Sequence, residues 1–161
     1  MRLNRPDLSC ATWFQGTIAV SCTRYRRFGP KTGLVSAPII PAEPAPICIV
    51  DDDASVRYSI EQLLDSDGLK AQSFEDAEDF LAYAQTHPVP LAIVDVWMPK
   101  TSGLEVQGQL REVSPNTKVI VVTGQETPEI RSAALQGGAS AFILKPFDDE
   151  VFLSLVRQAL R

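Results

Sequence analysis

Six polar side chains stand where apolar runs stop. Asp51, Asp52 and Asp53 follow Ile47-Cys48-Ile49-Val50, and Asp95 follows Leu91-Ala92-Ile93-Val94. Thr123 closes Val119-Ile120-Val121-Val122, and Lys145 follows Ala141-Phe142-Ile143-Leu144. Carboxylates brought close together repel one another unless a cation lies among them. Oxygen donors without Cys or His partners select Mg2+ rather than zinc. A lysine adds a point charge and a threonine a hydroxyl donor, a set that suits a phosphoryl group better than a carbon substrate. The sole histidine, His87, precedes Pro88 in a loop, which argues against a His-based zinc site and a Ser-His-Asp triad. Cys10, Cys22 and Cys48 have neither metal-ligand spacing nor the number a disulfide scaffold needs.

These side chains can converge only if their strands are parallel neighbours, and the chain alternates accordingly. Val56, Ile60, Leu63 and Leu64 recur at helical spacing and Gly68 supplies a stop. Residues 69–74 form a second strand. Ser73 with Asp76 reads as a capping box opening a helix that buries Ala77, Phe80, Leu81 and Ala84. A helix with Leu104 and Leu110 follows the third strand. Thr127 and Pro128 fit N-cap and N1 of the next, which ends at Gly137-Gly138. Asp148 or Asp149 opens the last helix, with Val151, Phe152, Leu155, Val156 and Ala159 as its apolar positions. Strands this apolar are covered on both faces, so the fold class is α/β, a (βα)5 doubly wound five-stranded parallel sheet. Ligands of such sheets bind beyond the carboxyl ends of the strands. Asp53 is assigned to capping the first helix and Cys48 to the core.

The 161 residues are 45% apolar and 22% charged, the range of an ordinary globular domain with a tail. No run approaches the roughly 18–20 apolar residues that span a bilayer, so the expectation is a cytoplasmic protein that does not engage a membrane. The net charge of −5 is unevenly placed. Residues 1–45 carry six basic side chains against Asp7 and Glu43, a net of +4, and the remainder carries −9. So acidic a body repels a phosphate backbone, and no direct nucleic-acid binding by this chain is expected. Four prolines between Ala37 and Pro46 read as an extended linker. Residues 1–45 are therefore assigned to a basic, Pro-rich N-terminal extension without stable structure, and residues 46–161 to the functional domain.

Four motifs occur in order along that domain: Ile-Val-Asp51-Asp52-Asp53; Val-Asp95-Val-Trp-Met98-Pro99 with Ser102-Gly103; Val-Val-Thr123-Gly124; and Phe142-Ile-Leu-Lys145-Pro146-Phe147. In these the sequence resembles the receiver domain of bacterial two-component response regulators, of the CheY-like superfamily with its flavodoxin-like fold, and in detail the FixJ/NarL type. The resemblance implies that Asp95 is the phosphoacceptor, supplied by a sensor histidine kinase or a phosphotransfer protein. It implies Mg2+ held by the carboxylates of Asp52 and Asp95 and the backbone carbonyl of Trp97. Asp51 then acts through water or by orienting Lys145. Lys145 pairs with phosphoryl oxygens, Thr123 donates a hydrogen bond to one of them, and Gly124 leaves them room. Phe142 falls at the rotameric switch position, and the Lys145-Pro146 bond is expected to be cis. Trp97 departs from the smaller or polar residue that many relatives carry there.

The implied function is a phosphorylation switch in signal transduction, with no turnover beyond gaining and losing its phosphoryl group. The switched face, formed by the fourth helix, fifth strand and fifth helix, would engage a downstream effector protein or form a phosphorylation-dependent homodimer. The sequence stops at Arg161, just after the last helical pattern, so any transcription-regulating output module is expected to be separate or absent. Two alternatives stay open. Asp51-Asp52-Asp53 also resembles the Asp-x-Asp motif of haloacid-dehalogenase-like phosphatases, with Asp51 as nucleophile. A receiver-like interaction module that works without phosphorylation is the other.

Overall fold

The computed structural model describes residues 44–161. The expectation for residues 1–45 thus falls almost wholly outside the described residues. Strands and helices alternate from β1 (Ile47–Val50) and α1 (Ala54–Ser66) through β2 (Ala71–Phe74) and α2 (Ala77–Thr86) to β3 (Leu91–Asp95). Then come α3 (Gly103–Val113), β4 (Lys118–Thr123), α4 (Pro128–Gln136), β5 (Ala141–Leu144) and α5 (Asp149–Ala159). The strands form one parallel sheet in the order β2-β1-β3-β4-β5.

Alternation along each strand sends side chains to opposite faces, and each face has its own core. Cys48, Val50, Val94 and Val121 pack against Phe80, Leu81, Val106, Leu110 and Ala134 of α2, α3 and α4. Ile47, Ile49, Ile93 and Val122 pack against Ile60, Leu64, Phe152 and Val156 of α1 and α5. Cys48 is fully buried, and burial pushes its thiol up to about 12, so it behaves as a small apolar side chain.

Three local expectations are corrected. β2 starts at Ala71 because the preceding residues close α1: Gly68 has φ 72°, and the N–H groups of Gly68 and Leu69 return to the carbonyls of Asp65 and Leu64. That is the glycine-terminated closure in which only a residue tolerant of positive φ fits. Ser73 lies inside β2, and Asp76 alone caps α2 by accepting from the Glu78 N–H. The reciprocal capping box belongs instead to α3, between Ser102 and Glu105. On α5, Val151 is exposed while Leu153 is buried, so the inward stripe is Phe152, Leu153 and Val156, with Leu155 and Ala159 at its edge.

Candidate functional site

The registers bring the acidic residues together. Val50 pairs with Val94, so Asp51 and Asp95 emerge side by side from neighbouring strands about 4.8 Å apart. Both are buried, at 3% and 5% exposure. Lys145 leaves the end of β5, and its side chain reaches past β4 to both of them. Its Nζ lies 2.6 Å from Asp51 Oδ2 and 2.8 Å from Asp95 Oδ1. The remaining oxygens are also occupied: the Trp97 N–H donates to Asp95 Oδ2 at 2.7 Å, and the Asp53 N–H donates to Asp51 Oδ1 at 2.9 Å. Asp53 itself caps α1 by accepting from the Ser55 N–H, and its backbone hydrogen bonds hold its carboxyl below the usual range.

Burial raises the Asp95 carboxyl above the ordinary aspartate value, an effect the Lys145 hydrogen bond and charge oppose and the Asp51 charge reinforces. For Lys145, burial disfavours the charge, but the two carboxylate partners outweigh it and the ammonium is held above its ordinary value. One ammonium thus serves two buried carboxyl groups at once.

Asp51, Asp52, Asp53, Asp95, Trp97, Gly124, Gln125 and Lys145 line one open pocket of about 360 Å3 at the strand ends. Gly124 has free space where a side chain would stand. Gly103 has none: a Cβ there would lie 2.1 Å from the Asp95 carbonyl oxygen and 3.1 Å from Val94 Cγ1. The bare backbone at the start of α3 is what lets that helix approach the end of β3. Thr123 and Phe142 are not part of the pocket wall. Thr123 is fully buried, and its hydroxyl donates to the Gln125 carbonyl at 2.9 Å. Phe142 lies half-buried on the same sheet face. The Lys145-Pro146 bond is cis.

Among the described residues, no three His, Cys, Asp or Glu side chains form a group that could hold a metal ion. Mg2+ asks for less, since one or two carboxylates with waters and phosphate oxygens suffice. Asp52 and Asp95 on one pocket wall fit that requirement, and the donors are all oxygen.

Sequence reasoning missed Arg57. Its Nη1 donates to the Asp51 backbone carbonyl at 2.7 Å and so holds the turn that carries the acidic residues. A cation in the first turn of a helix opposes the helix dipole. That misplacement is the signal that could have pointed to a specific partner.

A doubly wound sheet of this order with an acidic pocket and a lysine at its strand ends defines a CheY-like α/β protein. Residues 47–157 match the family model described as the response regulator receiver domain, and the chain belongs to that family. The response regulator protein TodT of Pseudomonas putida is 36% identical over 115 residues, covering 71% of this chain and 51% of TodT. The chain therefore spans about half the length of this curated relative. A CheY-like response regulator receiver domain protein from Methanospirillum hungatei superposes with TM-score 0.69 at 30% identity, covering 72% of this chain and 93% of its own. The beryllofluoride-activated NtrC4 receiver domain dimer matches with TM-score 0.69 at 29% identity, over 71% of this chain and 95% of its own. This is a two-component response regulator receiver, and nothing in these likenesses supports the phosphatase alternative. Among the described residues, no helix is long and apolar enough to cross a membrane.

Proposed function

We propose that Asp95 accepts a phosphoryl group from a sensor histidine kinase or a phosphotransfer protein, and that the modified domain signals to an effector. The observation that supports this best is the Asp95 carboxylate itself, fixed at one oxygen by Lys145 and at the other by the Trp97 N–H. Phosphoryl transfer asks the protein for positioning and charge neutralisation more than for covalent chemistry. An Asp95 oxygen forms the new P–O bond as the donor's P–N bond breaks, and the leaving imidazole nitrogen takes a proton. Asp52, Asp95 and the Trp97 carbonyl would hold Mg2+, with Asp51 contributing through water. When bound, the metal supplies the positive charge that lets two anions approach. Asp51 keeps Lys145 in place while the ammonium turns from Asp95 to phosphoryl oxygens.

Thr123 then exchanges its bond to Gln125 for one to the phosphoryl group, and Gly124 leaves that group room. Phe142 moves toward the space Thr123 leaves. The face made by α4, β5 and α5 changes with it, and that face binds an effector protein or a second copy of the chain. Leu135, Leu144 and Val151 are its exposed apolar side chains. The chain's own chemistry is confined to gaining and losing the phosphoryl group. Residues 1–45 are assigned to an extension outside the receiver domain, and this chain works in the cytoplasm without contacting nucleic acid itself.

Incubating the full chain with acetyl phosphate and Mg2+ and reading intact mass tests this. One added phosphoryl group is expected in the wild type, none in Asp95→Ala, and a reduced amount in Asp51→Ala. A modification that survives in Asp95→Ala and disappears in Asp51→Ala would place the acceptor on the wrong strand and overturn the reading.

A further inference from the structure

Phe142 is not alone on its face. The Arg131 guanidinium carbon lies 5.4 Å from the centroid of the Phe142 ring, over its face. The same guanidinium donates to Glu126 Oε1 at 2.9 Å. Glu126 follows Gln125, whose carbonyl accepts from the Thr123 hydroxyl at 2.9 Å and whose N–H donates back to Thr123 Oγ1 at 3.2 Å. Three adjoining contacts therefore run from the Thr123 hydroxyl to the Phe142 ring, and of the residues that make them only Gln125 also lines the pocket that holds Asp95.

The helix carrying Arg131 is suited to respond at one end. Ala134 is the one buried residue of α4. Its C-terminal end is fixed from α3: the buried Gln107 amide donates to the Ala134 carbonyl at 3.0 Å, and Arg111 reaches the Gly137 carbonyl at 3.4 Å. A Cβ at Gly137 would lie 2.8 Å from Gln107 Oε1, so the glycine is what admits this anchor. Its N-terminal end hangs on the loop that contains Gln125, Glu126 and the cap residue Thr127.

We propose that Arg131 is a latch: paired with Glu126, it holds the Phe142 ring in its half-buried position until Thr123 releases Gln125. This rests on the switch reading of Thr123 and Phe142 given above. The ring cannot turn toward Thr123 without leaving the guanidinium. Glu126 keeps the guanidinium over the ring, and the Thr123–Gln125 bonds keep Glu126's segment in place. A contact of this kind at an exposed site is weak enough to be overcome by one charge-assisted bond and strong enough to set the resting population. Arg131 touches none of the residues that bind or accept the phosphoryl group, so it is a positioning residue for the switch.

The test uses the full chain with 13C-labelled phenylalanine and reads NOEs between the Phe142 ring and the Thr123 methyl. Spectra are taken without ligand and with saturating beryllofluoride and Mg2+. Beryllofluoride is expected to raise this contact in the wild type. Arg131→Met, which keeps length and removes charge, raises it about two- to five-fold without any ligand. Arg131→Lys falls between Arg131→Met and wild type, and Glu126→Gln moves the same way by a smaller factor. Phosphorylation by acetyl phosphate reaches wild-type extent in all three. An Arg131→Met population equal to wild type, in a chain that still responds to beryllofluoride, overturns the latch and leaves the switch intact. A wild type whose Phe142 ignores beryllofluoride, although acetyl phosphate modifies Asp95, overturns the switch reading and the latch with it.

Discussion

As the proposed phosphoacceptor, Asp95 is subject to two opposed demands. Burial favours its neutral form, whereas an oxygen that attacks phosphorus must be an anion. Lys145 reconciles them by donating to Asp95 and Asp51 together, and the Trp97 N–H fixes the second Asp95 oxygen. All this depends on the Asp95 backbone staying where β3 delivers it, and Gly103 controls that through its close approach to the Asp95 carbonyl. Gly103→Ala is expected to force α3 away from β3 at a cost of about 1–3 kcal/mol, the usual range for overpacking. Urea denaturation reads that loss, and phosphorylation of Asp95 by acetyl phosphate falls with it. An unchanged midpoint with full phosphorylation would show that the helix start yields freely. The acidic residues and Lys145 could be read from sequence because a charged residue directly after a four-residue apolar run has few other roles. Gln107 and Arg131 could not, because on a helix surface their types are ordinary. Only the neighbouring helix or strand gives them meaning.

Helices α1 and α5 cover the same face of the sheet, and a bidentate pair joins them at their C-terminal ends. Arg157 donates through Nε to Asp67 Oδ2 at 2.9 Å and through Nη2 to Oδ1. The hydrogen bonds from Arg157 hold the Asp67 carboxyl below its ordinary value. A carboxyl whose folded pKa is depressed contributes stability above its unfolded pKa and loses it as pH falls through the folded one. The gap in urea midpoint between wild type and Asp67→Asn is therefore expected at neutral pH. It should begin to close near pH ~3.9 and vanish at lower pH. A gap independent of pH would assign the effect to the α1 C-cap rather than to charge. The pair links residues ninety positions apart, so no local pattern announces it. The five-fold alternation itself was readable throughout, because β3 and β4 are buried on both faces and three of the five helix starts carry the cap the sequence indicates: Asp53, Thr127 and Asp148. The misreadings fall where two capping solutions compete, as at Ser73, or where an edge position decides burial, as at Val151.

The whole chain divides by charge and by pattern at nearly the same place. Residues 1–45 are net basic and Pro-rich, whereas the remainder is strongly acidic and supplies, between Ile47 and Ala159, side chains for both faces of a complete five-stranded sheet. The family match covers the same stretch, residues 47–157. A sheet with each face filled by its own helices has no unmet packing requirement, so residues 46–161 are expected to fold and accept phosphate unaided. Attraction between the basic extension and the acidic body would be the remaining source of coupling, and salt limits it to about 8 Å at physiological ionic strength. The 46–161 fragment should then match the full chain in the unfolding free energy read from urea denaturation to within about 0.5 kcal/mol at that ionic strength, as substitutions remote from a core do. Its phosphorylation by acetyl phosphate should reach the same extent. A small difference that appears only in low salt is the signature of the charge asymmetry. A large loss of stability that persists in high salt would mean that the extension completes the core, and the boundary near Pro46 would be wrong.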